Sequence, residues 1–407
     1  MPTTTAADLL DPAVIQDPYD LYRWLLAESP VWNTPDTKLS LVSSWEHVTE
    51  AVARPDDFSS NLELLLYTGD DGRPAMFDMS HLGSNIRTLA TADPPVHTAH
   101  RKVVFPNLVE RQMTELEPTA REIARRLLGR VLPAQHVEWT SAVAEPLPVA
   151  VLSELMGFVD PDLDDLLGWA LDGAGLLAGT CTLEQMAFLS ERAGESAAYL
   201  AQELGAASPD PAAGIVGAVR RGVDDGKLTP EEAVSTLVIL LGAGGESTGA
   251  LVGNSVRVLA EHQDIQSALR ADPSKIPVFV EEVLRFESPF RGHYRMARRD
   301  AELGGVTIPA GSLVYLLWAA ANRDPAEFDD PDTFRLDRPT PRGHLGFGRG
   351  IHFCVGAPLA RMEARIAVEM LLDRTHTFTL DADRPPAYVP GIFVRRHEHL
   401  DLVVEHV

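Results

Sequence analysis

The chain has 407 residues, of which 45% are hydrophobic and 23% charged, the balance of a soluble globular enzyme with a large core. Its formal net charge of −24 excludes nucleic acid as a partner, because phosphate binding requires a basic surface. Two cysteines, Cys181 and Cys354, are too few for a disulfide framework and indicate a reducing compartment. No secretory signal opens the sequence, and the longest apolar stretch is too short to span a bilayer. We therefore expect a cytoplasmic protein without a membrane anchor.

Apolar residues recur at helical spacing over most of the middle of the chain, whereas strand-like alternation is confined to a few short stretches. In chain order we predict strands in 31–43, helices in 114–132, 162–177, 184–204 and 229–262, strands in 301–317, a helix in 356–372, and strands in 378–380 and 399–405. No internal repeat or flexible linker divides the sequence. The pattern predicts a mainly α fold, with one domain over residues 1–407 and small antiparallel β-sheets beside a large helical body.

The clearest predicted element is the long helix near the middle of the chain. Thr229 is a good N-cap, Pro230 suits the first helical position, and Glu232 completes a capping box. Apolar residues then cover nearly all faces of the helix. We therefore expect a central, buried helix about 50 Å long at 1.5 Å per residue.

The middle of this helix, "GAGGEST", interrupts the apolar pattern. Its glycines each weaken a helix by up to about 1 kcal/mol relative to alanine, and Glu246 and Ser247 are polar residues in apolar surroundings. The interruption indicates either a local opening of the helix against a ligand or close packing between helices. The segment alone favours neither interpretation.

The second cysteine, Cys354, lies in the glycine-rich stretch "GFGRGIHFCVG", two residues after His352. A zinc site would need more nitrogen and sulfur ligands than lie nearby, and a dinucleotide-binding loop would need a preceding βαβ unit. A thiol nucleophile with His352 as its base and a buried structural cysteine both stay open. Neither explains the glycines.

A thiolate ligand to a flat macrocycle explains the glycines, the histidine and the cysteine together. Glycines let the backbone pass beneath a ring, and exposed amide N–H groups can point at the sulfur. The helix predicted next begins beside the sulfur, where its dipole favours a negative charge. One face of that helix is formed by Ala360, Ala364, Ala367 and Leu371.

The same stretch fits, at every fixed position, the haem-binding pattern Phe-Gly-x-Gly-x-His-x-Cys-x-Gly, and the chain thereby resembles the cytochrome P450s. The resemblance implies the P450 fold, in which the long helix lies over haem b (iron protoporphyrin IX). It implies that Cys354 is the thiolate ligand of the iron. It also implies that Phe347, Gly348, His352 and Gly356 help to bind the cofactor.

Further motifs extend the resemblance over nearly the whole chain. The stretch "EEVLR" supplies the family's Glu-x-x-Arg as Glu282 and Arg285, and "FRLDRP" offers Arg338 as the third member of that ion-pair cluster. The resemblance implies a structural role for this cluster, in which the loss of one partner would leave the others buried and unpaired.

Two other stretches resemble the family's contacts with the haem propionates. "DPPVHTAHR" provides His97 and Arg101, which lie four residues apart on one helical face. "HYRMARRD" provides Arg295, and His352 is a further candidate. The resemblance implies that these side chains bind the propionates.

Above the iron, "AGGEST" resembles the family's Ala-Gly-x-(Asp/Glu)-Thr segment. By that resemblance Ala243 and Gly244 flank the oxygen pocket, and Glu246 takes the acid position. Ser247 takes the threonine position, which keeps the hydroxyl but loses the methyl that stiffens χ1. Thr248 follows immediately and is a second candidate. We expect Glu246 and Ser247 to relay protons to dioxygen through water.

The family's substrate-facing segments make Phe290, Arg291 and Phe393 candidate lining residues of a mostly apolar pocket. Arg291 is unusual in such a lining, and we favour an internal ion pair or solvent exposure over contact with a substrate carboxylate. We expect a small apolar organic substrate of the lipid, steroid or secondary-metabolite class.

The sequence shows no fused flavin or iron–sulfur domain. The resemblance therefore implies that electrons come from a separate ferredoxin and its NAD(P)H-dependent ferredoxin reductase. Ferredoxins are commonly acidic, so docking would need a basic patch on the thiolate side despite the net negative charge. That patch is predicted from Arg101, Lys102, Arg349, Arg361 and Arg365.

The favoured interpretation is a haem-thiolate monooxygenase that inserts one oxygen atom of O₂ into an organic substrate. One alternative within the enzymes is a peroxide-driven or rearrangement enzyme, which the acid and hydroxyl of the long helix argue against mildly. A second alternative is a haem-thiolate protein that binds ligands or senses gas without turnover. The serine at the threonine position leaves that alternative open.

Overall fold

A computed structural model describes residues 6–35, 37–82, 86–210 and 213–406. Helices form most of the fold. In chain order they are α1 (Ala6–Leu9), α2 (Pro12–Gln16), α3 (Tyr19–Glu28), α4 (Trp45–Val52), α5 (Val96–Val104), α6 (Glu110–Val131), α7 (Pro146–Met156), α8 (Leu163–Gly175), α9 (Leu183–Ala206), α10 (Gly214–Asp224), α11 (Pro230–Glu261), α12 (Gln263–Ala271), α13 (Ile276–Phe286), α14 (Trp318–Ala321) and α15 (Ala357–Arg374). A π-helical turn, Thr140–Ala144, precedes α7.

The strands are short and form small sheets at one side of the helical body. They are β1 (Val31–Asn33), β2 (Leu39–Val42), β3 (Phe58–Ser59), β4 (Leu64–Thr68), β5 (Pro74–Asp78), β6 (His136–Glu138), β7 (His293–Ala297), β8 (Ala301–Leu303), β9 (Val306–Ile308), β10 (Leu313–Leu316), β11 (Thr375–Leu380), β12 (Ala387–Tyr388), β13 (His397–His399) and β14 (Asp401–His406). The largest sheet among the described residues has the order β1-β2-β10-β7-β3. In it β10 pairs with β2 in parallel, whereas the other neighbours are antiparallel.

The mainly α prediction is confirmed, and the predicted helices and strands are found close to their expected bounds. The parallel pairing of β2 with β10 departs from the antiparallel sheets we expected, because β10 reaches β2 from a distant part of the chain. The strand pattern missed the hairpin of β4 and β5 and the buried strand β7. The latter matters for function, because β7 carries Arg295.

Helix α11 begins as the sequence predicts. Thr229 accepts a hydrogen bond from the Glu232 N–H, Glu232 caps the Thr229 N–H in return, and Pro230 is the first helical residue. The helix has 32 residues and is therefore about 48 Å long. Among the described residues it alone is long and apolar enough to cross a bilayer, but 67% of its most apolar window is buried inside the molecule. It is the central core helix of the fold.

The glycine-rich middle of α11 does not open. The helix is continuous through these residues, so the predicted local opening is not seen. A Cβ on Gly245 would lie 2.7 Å from the Ala170 Cβ, and one on Gly249 would lie 2.9 Å from the Ala144 carbonyl oxygen. Close approach of α8 and of the π-helical turn therefore accounts for the glycines, which was the alternative interpretation of this segment.

Candidate active site

Cys354 is presented by a loop that leads into α15. The Cys354 N–H donates to the Phe347 carbonyl over 3.0 Å, which folds the loop back on itself. Gly348 and Gly350 have φ values of +66° and +73°, a left-handed conformation that side chains disfavour. A Cβ on Gly346 would lie 2.8 Å from the Leu284 carbonyl oxygen. The glycines are thus required by the turns of the loop and by its close packing on α13.

The sulfur of Cys354 lies at the N-terminal end of α15. The N–H groups of Gly356 and Ala357 donate hydrogen bonds to the sulfur, and Arg101 and Arg361 are close enough to act on its charge. Burial raises the pKa of the Cys354 thiol, while these hydrogen bonds and cations act in the opposite direction. The surroundings therefore favour negative charge on a sulfur that is otherwise shielded from water.

Basic side chains from three parts of the chain meet near this loop. The imidazoles of His97 on α5 and His352 have ring centroids 4.2 Å apart, and His352 Nε2 lies 3.0 Å from Ser60 Oγ. Arg295 on β7 donates from Nη1 to the Tyr294 carbonyl over 2.7 Å and approaches His293 Nδ1 at 3.3 Å. His352 lies within electrostatic range of His97, Arg295 and His293, so these groups form one cluster.

This basic cluster lacks a matching negative charge among the described residues. Arg295 is buried, and it pairs with no carboxylate there although Asp93 acts on it from a distance. Burial lowers the pKa of Arg295 to about 10, and burial with neighbouring cations lowers the pKa of His352 to about 2. The buried His97 Nδ1 has no hydrogen-bond partner. Buried cations and a free donor atom fit a group that carries carboxylates.

Arg101 extends this set toward the sulfur. It lies one turn after His97 on α5, is half-buried, and stacks on the Phe105 ring with its guanidinium carbon 5.7 Å from the ring centroid. Burial lowers its pKa, and Cys354 is the only group that acts in the opposite direction. A negatively charged ligand bound beside Cys354 would supply the missing counter-charge.

On the helical side, Ala243 is exposed and Gly244 and Ser247 are half-buried, so this part of α11 borders open space. Ser247 Oγ donates to the Ala243 carbonyl over 2.7 Å. Thr248, one position further, is buried. Ser247 and Thr248 therefore lie on different faces of α11, and only Ser247 borders the open side.

Glu246 is buried on α11 and is paired with Arg396. Arg396 Nε donates to Glu246 Oε1 over 3.2 Å, and Arg396 Nη1 is 2.5 Å from Glu145 Oε1. Glu246 Oε2 is buried and has no hydrogen-bond partner. Burial raises the pKa of Glu246 to about 7 even though Arg396 acts against it. A carboxyl with this pKa can both hold and release a proton near neutral pH.

The candidate lining residues Phe290 and Phe393 meet, with ring centroids 5.1 Å apart. Phe393 also stacks on Tyr294 and contacts the edge of His293, which joins this aromatic group to the strand that carries Arg295. Arg291 points elsewhere, because its Nη2 donates to the Ile15 carbonyl over 2.6 Å in a fully buried setting. That internal hydrogen bond is consistent with the internal role that we favoured for this side chain.

The ion-pair cluster behind the loop is closed around one carboxylate. Arg285 donates to both oxygens of Glu282, at 2.9 and 2.7 Å, and Arg338 Nε donates to the same carboxylate at 2.8 Å. The neighbouring Glu281 accepts from Arg361 Nε over 2.6 Å and lies 2.9 Å from His344 Nε2. These two acids of α13 hold both ends of the segment that leads to Cys354.

The predicted basic patch is only partly available for a partner. Arg361 pairs with Glu281, and Arg365 pairs with Glu117 and Glu369. Lys102 and Arg349 are exposed, and neither they nor Arg101 pair with a carboxylate in the part of the chain that the structure describes. A surface groove of about 1120 Å³ lies beside Lys102 between α5 and α10, and none of the other predicted site residues lines it.

Sequence reasoning did not find Glu145, Arg396, Ser60 or His293. Glu145 and Arg396 are 251 residues apart, and neither lies in a motif, so no local signal marks them. His293 carried a usable signal, because side chains two residues apart on a strand share a face and Arg295 was already a candidate.

Comparison with known proteins gives a consistent answer. A family model described as "Cytochrome P450" matches residues 217–402. The chain is 41% identical over 391 residues to Cytochrome P450 144 of Mycobacterium tuberculosis, which covers 96% of this chain and 90% of that protein. It is 35% identical to Cytochrome P450 monooxygenase PikC of Streptomyces venezuelae, over 93% and 90% of the two chains. The structure is similar to that of CYP109E1 from Bacillus megaterium in complex with testosterone, with a TM-score of 0.85, 27% identity, and 96% and 99% coverage.

The fold and these similarities define a haem-thiolate enzyme. The chain belongs to the cytochrome P450 family, whose members are monooxygenases that bind haem b through a cysteine thiolate. The residues present fit that cofactor, because a sulfur at a helix N-terminus lies near buried cations that lack carboxylate partners.

Proposed function

We propose that this chain inserts one atom of O₂ into a small apolar organic substrate, with Cys354 as the thiolate ligand of haem iron. The observation that carries the proposal is the setting of Cys354, whose sulfur accepts the Gly356 and Ala357 N–H groups at the start of α15. Such hydrogen bonds stabilise a thiolate and tune how strongly it donates electrons. When bound, haem b supplies the iron at which dioxygen is activated.

The basic cluster would hold the propionates of the cofactor. Arg295, His97 and His352 would bind them together with Arg101, because each is placed near the sulfur without a carboxylate partner among the described residues. Charge-assisted hydrogen bonds of this kind are about twice as strong as neutral ones. Phe347, Gly348 and Gly356 would shape the face of the loop that meets the ring.

Glu246 and Ser247 would manage protons on the opposite side. Ser247 borders the open side of α11 and offers its hydroxyl, and Glu246 has a pKa of about 7 that allows proton exchange near neutral pH. Ala243 and Gly244 would leave room for dioxygen, because neither carries a bulky side chain. Thr248 is buried on another face of α11, which makes it the weaker candidate.

An apolar substrate is supported by the aromatic pair Phe290 and Phe393. A structural relative was solved with testosterone, a steroid within the lipid, steroid and secondary-metabolite class that we propose. The internal hydrogen bond of Arg291 removes the one cation that argued for a substrate carboxylate at this position.

A separate ferredoxin and its NAD(P)H-dependent reductase would supply the electrons in the cytoplasm. The exposed cations Lys102 and Arg349 and the half-buried Arg101 support docking of an acidic ferredoxin on the Cys354 side. The exposed apolar side chains of Ile351 and Phe353 lie on the same loop as Arg349 and would add contact area.

The decisive experiment is the carbon monoxide difference spectrum of the dithionite-reduced protein, compared between two cysteine variants. We expect the red-shifted maximum of a thiolate-ligated haem in the natural protein and in Cys181→Ser, and its complete loss in Cys354→Ser. A Cys354→Ser protein that kept this spectrum would overturn the proposal. Haem content and circular dichroism establish that both variants are folded, and an NADPH-driven assay with a surrogate ferredoxin and reductase then separates catalysis from ligand binding.

A further inference from the structure

One guanidinium stands between two buried carboxylates at the edge of the candidate site. Arg396 contacts Glu246 through Nε at 3.2 Å and Glu145 through Nη1 at 2.5 Å. The side chains of Arg396, Glu145 and Glu246 are 16%, 12% and 6% exposed. All three groups are therefore largely withdrawn from solvent, where interactions between charges are strong.

The positions of these three groups are set by close backbone packing. Glu145 follows the π-helical turn, and a Cβ on Gly249 of α11 would lie only 2.9 Å from the carbonyl oxygen of Ala144. Arg396 immediately precedes β13, whose His397 approaches Gly253 of α11 equally closely. Both partners of Glu246 are thus held against the same stretch of α11, so their competition is built into the fold.

The charges in this group do not balance when both acids are ionised. Besides Arg396, the charged group that acts on Glu145 is Glu138, which also disfavours ionisation. The neighbours of Arg396 in sequence are engaged elsewhere, because Arg395 pairs with Glu287 and His397 stacks on Tyr388. A single cation therefore faces two acids, and burial raises the pKa of Glu145 as well as that of Glu246.

The geometry also shows which oxygen of Glu246 is free to carry a proton. Oε1 accepts the hydrogen bond from Arg396, whereas Oε2 is buried and has no partner. The contact between Arg396 and Glu145 is the shorter of the two, at 2.5 Å against 3.2 Å. Arg396 is thus drawn away from Glu246, which leaves that acid under-neutralised.

We infer that Glu145 is a positioning residue which, by competing for Arg396, keeps Glu246 able to hold a proton on Oε2 at neutral pH. The inference rests on the proposed role of Glu246 as a proton carrier. Neither Glu145 nor Arg396 touches the reacting atoms; both act through Glu246. Removing either one therefore changes the acidity of Glu246, and the two removals act in opposite directions.

The test follows the infrared band of the protonated Glu246 carboxyl in the haem-loaded, substrate-free protein, assigned as the band lost in Glu246→Gln. In Glu145→Gln, Arg396 serves Glu246 alone, so the midpoint for loss of this band should fall by about one pH unit or more. In Arg396→Gln the same midpoint should rise by about one unit or more, because the only opposing cation is lost. Glu154→Gln, an exposed acid on α7, removes the same charge without the contact and should leave the midpoint unchanged.

A midpoint that stays put in Glu145→Gln, or that moves in the same direction in both variants, would overturn the inference. Glu145→Asp, which keeps the charge but withdraws it from Arg396, should shift the midpoint downward by less and guards against misfolding of the glutamine variant. Hydrogen peroxide released per NADPH is measured over the same pH range. If the infrared midpoints move as expected while the pH profile of peroxide release does not, the inference stands and the proposed proton role of Glu246 fails.

Discussion

At the scale of single residues, Ser247 shows how a small change in side chain alters a site. Its hydroxyl donates to the Ala243 carbonyl one turn earlier on α11, an i−4 contact that the hydroxyl must leave in order to serve a ligand. Serine has no second heavy atom on Cβ to restrict its rotation, so this rearrangement is easier than for threonine. The same freedom holds the hydroxyl less firmly in the position from which it would donate.

We expect Ser247→Ala to lower product formed per NADPH by about tenfold or more and to raise hydrogen peroxide release, because a positioned proton donor is lost. Ser255→Ala is the matched control. Ser255 lies two turns further along α11, is buried, and makes the same i−4 hydrogen bond at 2.7 Å. Equal product yields in Ser247→Ala and the natural protein would rule out this role of Ser247.

Single residues also show what the sequence could and could not predict. Cys354 and its glycines lie within eleven consecutive positions, so their pattern carries the chemistry locally. Arg396 reaches Glu246 across 150 residues, and only the packing of β13 on α11 brings them together. Contacts of this kind leave no local trace in one sequence, and the proton site was therefore only half predicted.

At the scale of elements, the glycines of α11 allow other elements to pack against its backbone. Gly244 faces Leu152 of α7, Gly245 faces Ala170 of α8, and Gly249 faces the π-helical turn. Each contact would be too short for a Cβ. The periodic helices were predictable because their apolar faces repeat, whereas β7 was not, because it is buried on both faces and contains an arginine.

Gly245→Ala should destabilise the protein by about 1–3 kcal/mol, since the new methyl would lie 2.7 Å from the Ala170 Cβ and 3.1 Å from Val149 Cγ2. Gly194→Ala is the control in α9, where a Cβ would meet nothing within 4 Å. There the higher helix propensity of alanine should stabilise by up to about 1 kcal/mol. Urea titration of both holoproteins measures the two changes, and a gain in stability for Gly245→Ala would contradict the packing explanation.

At the scale of the whole molecule, one carboxylate joins distant parts of the chain. Glu287, just after α13, is buried and lies 2.6 Å from Arg395 Nε and 2.7 Å from Arg257 Nη2 of α11. Arg323, which follows α14, approaches it at 3.9 Å and stacks on the Tyr19 ring of α3. Glu287 thereby ties both ends of the chain to the central helix.

Glu287→Gln should cost about 3–5 kcal/mol at pH 7, because buried guanidinium groups lose their partner. The cations hold the pKa of Glu287 well below its ordinary value. Its stabilising contribution is therefore present above the unfolded pKa of about 4.3 and is lost as the pH falls further, so the difference from the natural protein should shrink in acid.

The matched control is Glu261→Gln, which removes the other, more exposed acid that pairs with Arg257. Its cost should stay below about 1 kcal/mol. Urea unfolding at several pH values measures both variants. An equal cost for the two substitutions, or a deficit in Glu287→Gln that persists unchanged below its unfolded pKa, would show that Glu287 does not join the molecule in this way.

The segment from Phe393 to Arg396 has a practical consequence for redesign. Within four residues it supplies an aromatic wall beside Phe290, an anchor to Glu287 and the cation that faces Glu246. Directed evolution of regioselectivity at Phe393 would move a backbone that also sets the acidity of Glu246. Libraries at this position should therefore be screened for wasted reducing equivalents as well as for new products, with Arg396 varied in the same round.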